Sequence, residues 1–83
     1  MRFTEHTKLR KENFGTVVFD TMTEKIFITD EIGAEILQLI EQGGDLPQVI
    51  SELMKSFDGD KETVEKDVIE FTDQLKSNNI VCA

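Results

Sequence analysis

The chain has no tryptophan or tyrosine, and only one histidine, one cysteine and one proline in 83 residues. Each shortage closes off some chemistry. A lone His6 and a lone Cys82 cannot build the usual zinc tetrads. His6 falls in an N-terminal segment expected to be frayed, exposed and inert. Cys82 has no partner for an internal disulfide and no histidine near it in sequence. With no apolar signal core in MRFTEHTKLRKENF, the expectation is a reducing, cytoplasmic setting. No run approaches the ~20 apolar residues of a membrane span. Bases are scarce as well: 9 Lys and Arg face 17 Asp and Glu, for a net charge of −8. The bases do not cluster, which argues against nucleic acid as a partner.

Catalytic signals are equally thin. DGDKETVEKD has the acids of a calcium loop but lacks its central Gly and terminal Glu in register. Gly43-Gly44 has no preceding strand and no following Lys-Ser/Thr, so it is not a phosphate loop. A single domain over residues 1–83 buries roughly 60% of its unfolded surface and has no room for a large catalytic cavity as well. The expectation is a protein that is not an enzyme and has no metal or cofactor of its own.

What is present is a change of period. KLRKE, TVVFD and KIFIT read as strands joined by the short turns NFG and TMTE, within residues 8–29. Loops this short favour an antiparallel meander. Three helices are expected after it, at about 31–42, 46–57 and 61–77. Asp30 is placed to cap the first, which Gly43-Gly44 ends. Its apolar stripe is Ile32, Ile36, Leu39 and Ile40, and Gly33 within it suggests close approach by another element. Asp45 and Gln48 form a capping box for the second, whose stripe is Leu46, Val49, Ile50, Leu53, Met54 and Phe57. Asp60 is the expected cap of the third, and Asn78 or Asn79 can take the left-handed position that ends it. Val64, Val68, Phe71 and Leu75 form the third helix's narrow core stripe. Ile69 lies about 140° from Val64 at 100° per residue, beside Glu65, Thr72 and Lys76. It is either an ordinary surface or widened-core residue, or part of a binding face.

Together these elements describe a winged-helix-like α+β domain: an N-terminal three-stranded antiparallel sheet followed by three helices. In a meander the first and third strands are both edges. KLRKE guards its edge with charge, whereas KIFIT leaves an apolar one. The open edge suits an extended peptide adding as a fourth strand; alternatively, the third strand is covered by a loop or a dimer partner. A DNA-binding winged helix is the rival from another class, although DKETVEKDVIEFTDQLK carries more acids than bases. A general protein-interaction or dimerisation module is another.

The order and spacing of ITDEIGAEILQLIEQGGDLPQVISELMKSFDGDKETVEKDVIEFTDQLKSNNIV resemble the PqqD family, peptide-recognition domains of ribosomally made, modified peptides. The similarity lies in the strand running into E-x-G-A-E-I-L, the GGD break, the I-x-E-L helix, and DV-x-x-F-x-x-x-L with its short apolar tail. It spans roughly Asn13 to Val81. The family often has Leu-Asn where this chain has Thr29-Asp30, and a Gly where it has Asn79. The resemblance implies a non-catalytic chaperone, monomeric or weakly dimeric, that binds a precursor's leader between the third strand and the third helix. It would present the peptide to a modifying enzyme, commonly a radical SAM enzyme that carries the cofactors. One wall of the groove would be Lys25, Ile26, Phe27, Ile28 and Thr29. Helix geometry, rather than any family motif, assigns the other wall to Glu65, Val68, Ile69, Thr72 and Lys76. On that reading Ile69→Asp weakens leader binding in a protein that stays folded.

Overall fold

The computed structural model describes residues 1–56 and 59–82. In chain order the elements are β1 (Arg2–Phe3), β2 (Thr7–Glu12), β3 (Gly15–Asp20), β4 (Ile26–Ile28), α1 (Glu31–Glu41), α2 (Leu46–Ser56), α3 (Lys61–Ser77) and β5 (Val81–Cys82). Phe57, expected in the apolar stripe of the second helix, lies outside the described residues.

The meander forms with strand order β2-β3-β4 and antiparallel pairing throughout. Asn13 and Phe14 make the first turn, since Glu12 and Gly15 are already partners. Asp20 builds the second. It is buried, and its Oδ1 accepts from the backbone N–H groups of Met22 (2.9 Å) and Thr23 (3.2 Å). Burial alone would raise the pKa of this carboxyl. The Met22 and Thr23 donations and the nearby His6 outweigh it and hold the group below its ordinary value of 3.8. A depressed folded pKa adds stability at neutral pH that is lost as pH falls through it. The melting temperature should therefore drop on acidification below about pH 4, and less steeply in Asp20→Asn.

Helix ends follow local chemistry. The Asp30 carboxylate accepts from the Gly33 N–H at 2.8 Å. Asp45 and Gln48 exchange both bonds of a capping box at 3.1 Å each. At the end of α3, Asn79 is left-handed with φ 58°, and the Ile80 and Asn79 N–H groups return to the carbonyls of Leu75 and Lys76, a Schellman closure. Asp60 departs from expectation. It stands at the N-cap with extended backbone but makes no side-chain capping bond; its Oδ2 faces the Thr63 hydroxyl instead. Its charge still lies at the positive end of the helix dipole.

The N-terminus is not frayed. β1 pairs with β5, matching Arg2 to Cys82 and Phe3 to Val81. His6 is not a free surface residue either: its Nε2 lies 3.0 Å from the Asn79 carbonyl and 3.8 Å from the Asp20 carboxylate. Sequence reading missed this because the partner strand is almost the whole chain away.

Between sheet and helices lies one core of Val18, Ile36, Leu37, Ile40, Val49, Leu53, Val68, Leu75, Ile80 and Val81. Strand alternation puts Thr16, Val18 and Asp20 toward it and Val17 and Phe19 away. No helix among the described residues is long and apolar enough to cross a membrane.

Candidate peptide-binding groove

Among the described residues β4 is an edge of the three-stranded sheet, as β2 is on the other side. The register of β4 with β3 is Val17 to Ile28, Val18 to Phe27 and Phe19 to Ile26. Just outside the strand, the Asp20 N–H donates to the Lys25 carbonyl and the Thr29 N–H to the Thr16 carbonyl, both at 2.9 Å. Antiparallel bonding alternates, so Lys25, Phe27 and Thr29 turn their bonding groups to β3. The N–H and C=O of Ile26 and Ile28 therefore face outward. The opposite edge, β2, carries Lys8, Arg10, Lys11 and Glu12, with Arg10 Nε and Glu12 paired at 2.6 Å.

The side chains of β4 divide between two faces. Phe27 is half-buried and packs on the core, while Ile26 and Ile28 stand on the outer face, 60% and 68% exposed. Thr29 is bound locally: its hydroxyl donates to the Thr16 carbonyl and accepts from the Thr16 N–H at 3.1 Å. The expected threonine departure thus ties the end of β4 to β3.

The flank of α3 nearest β4 is that of Phe71 and Asn78. A Cβ added at Gly33 would lie 2.8 Å from the Thr29 Cβ and 3.2 Å from the Phe71 ring. This close approach, which only glycine allows, sets Phe71 beside the end of β4. At the other end, Lys25 shares a cavity of about 390 Å³ with Ser77, Asn78 and Asn79. Phe71 and Asn78 lie within about 20° of each other around the helix, and Gln74 and Asp67 fall on the same flank. α3 therefore runs antiparallel to β4. Its stretch from Phe71 to Asn78, about 10 Å long, matches the ~13 Å from Lys25 to Thr29.

Glu65 and Ile69 lie on the other flank. They line a groove of about 560 Å³ against α2 with Leu46, Pro47, Ile50 and Met54. Ile69 is about 160° around the helix from Phe71. Lys76 is exposed on the Ile69 side. Val68 and Thr72 are buried, 1% and 2% exposed, and have no surface for a ligand. The Thr72 hydroxyl donates to the Ile69 carbonyl, which lets it sit in the core. The structure thus sets the two ends of Lys25–Thr29 beside Asn78 and Phe71, and places Glu65, Ile69 and Lys76 on the other flank of α3. Phe71 was legible as apolar in sequence, but its place in the core stripe gave no sign that it lies beside the end of β4.

Against this geometry, the family model described as Coenzyme PQQ synthesis protein D (PqqD) matches residues 15–81. The chain belongs to the PqqD family. The matched span runs from the first residue of β3 into β5 and so contains both the β4 edge and α3. No match was found among curated proteins. Two solved structures share the fold. One is TbiB1 in complex with the TbiA(beta) leader peptide, with a TM-score of 0.91 and 21% identity, covering 96% of this chain and 93% of that one. Another is lasso peptide synthetase B1 complexed with the leader peptide, with a TM-score of 0.89 and 18% identity, covering 99% of this chain and 96% of that one. At these identities the likeness establishes the PqqD-type α+β fold.

Proposed function

We propose that this PqqD-family chain binds the leader of a ribosomally made precursor peptide as a fourth strand on β4, and presents the rest of the peptide to a modifying enzyme, such as a radical SAM enzyme. The observation that carries this reading is the outward-facing N–H and C=O groups of Ile26 and Ile28 beside a helix flank matched to them in length. Two proteins of the same fold are found with leader peptides, which supports it. The role is recognition without catalysis. His6, the one histidine, is engaged with the Asn79 carbonyl.

Charge supports the location. Residues 1–29 carry five bases and four acids, whereas residues 30–83 carry four bases and thirteen acids. The sheet is thus the part of the molecule that does not repel an acidic peptide, and Lys25 stands at one end of the groove. The direct test is NMR titration of the labelled protein with the leader encoded beside its gene. Shifts should concentrate in Lys25–Thr29 and in Phe71–Asn78; shifts confined to α2 would reject the assignment.

Ile69 now separates the two flanks. Ile69→Asp should leave a folded protein whose melting temperature moves by only a few degrees, because Ile69 is 38% exposed. Leader affinity, measured by calorimetry, should stay within about twofold. A tenfold loss, about 1.4 kcal/mol, would return the α2 side of α3 to the site.

A further inference from the structure

The outer face of the sheet bears an apolar stripe that the groove does not use. Val17 is half-buried there, Phe19 is 36% exposed, and Ile26 and Ile28 are the most open of the four. Apolar residues left open on an unguarded edge invite non-specific pairing, yet β2, the other edge, is dense with charge. A peptide strand added to β4 continues this same sheet. Its residues directly opposite Ile26 and Ile28 must point their side chains to the outer face, because side chains alternate in register across paired strands. Its intervening residues point to the groove, toward Phe27 and Phe71.

We propose that Ile26 and Ile28 form a second specificity surface, which selects apolar side chains at the two outward-facing positions of the bound strand, two residues apart. The bound segment is then read on both faces. One face meets the Phe27–Phe71 side, and the other extends the stripe of Val17, Phe19, Ile26 and Ile28. The inference rests on strand addition at β4 and names the peptide chemistry that this edge accepts. Cross-strand apolar pairs of this kind favour a matched residue by up to about fivefold per position.

The test is selection from an mRNA-displayed library of random twelve-residue segments, using the full chain, Ile26→Glu/Ile28→Glu and Ile26→Thr/Ile28→Thr. Circular dichroism first establishes that each variant is folded. The natural chain should enrich peptides with apolar residues at two outward positions, i and i+2. The Glu pair should convert those positions to Lys or Arg, leaving the groove-facing positions unchanged. The Thr pair, which keeps β-branching, should relax the outward positions only. The same consensus from all three proteins overturns the second specificity surface and leaves strand addition standing. Enrichment by the natural chain but by neither folded variant also overturns it, since these residues would then only hold the edge in place. No enrichment by the natural chain removes strand addition itself, and the inference with it.

Discussion

Ile28→Pro should leave the protein folded and reduce leader affinity at least tenfold. The Ile28 N–H faces away from β3, so proline there removes no bond of the existing sheet. Phe27, the residue before it, is already extended, as a residue preceding proline must be. What is lost is one hydrogen bond to the incoming strand, and the ring adds bulk at the middle of the edge. A bond worth about 1 kcal/mol plus that obstruction exceeds the 1.4 kcal/mol of a tenfold change. Phe27→Pro is the matched control. Its N–H faces β3 opposite Val18, and its side chain packs on the core. That variant should lose stability outright, seen as a lower melting temperature without any peptide present. A folded Ile28→Pro protein with undiminished affinity would mean that the leader does not pair along β4.

Gly15→Ala should be among the most damaging single substitutions outside the core. Gly15 opens β3 with φ +154°, and a Cβ there would lie 1.9 Å from the Thr29 carbonyl oxygen and 2.8 Å from that of Asp30. These are backbone atoms at the junction where β4 becomes α1, and they cannot swing aside as a side-chain tip can. Thr29 also holds its bonds to Thr16 there, and Asp30 caps α1. Relief of the clash must move the end of β4, the start of α1, or both. A cost of about 3–5 kcal/mol is expected, which for a domain of this size lowers the melting temperature by roughly 15–30 °C. Leader affinity measured well below the melting point should fall as well, because the displaced segment is the end of the pairing edge. A shift of only a few degrees would show that this junction is more yielding than its packing implies.

The sequence by itself determined whatever depends on near neighbours. Asp30, Asp45 with Gln48, and Asn79 set helix boundaries through contacts within a few residues, and each does so in the structure. The charged β2 and apolar β4 edges were legible for the same reason: alternation and charge are local properties, and short turns leave a meander few other arrangements. Gly33 likewise announced a close approach, though not which elements would meet there.

Tertiary structure alone decided which flank of α3 faces β4. Around its stripe the helix offers two shoulders, Phe71 with Gln74 and Asn78, and Glu65 with Ile69. Periodicity places both but cannot rank them, because either could meet β4 once α2 takes the other. In the fold α2 takes the Ile69 shoulder, and the Phe71 shoulder is drawn to Thr29 over Gly33. The burial of Thr72 was hidden too, since its hydroxyl is satisfied by the helix's own Ile69 carbonyl. The β1–β5 pairing joins Arg2 to Cys82, and no local pattern records a contact between residues so far apart in the chain. Short-range capping and alternation are written into neighbouring residues, whereas the walls of the groove arise only when distant elements compete for the same faces.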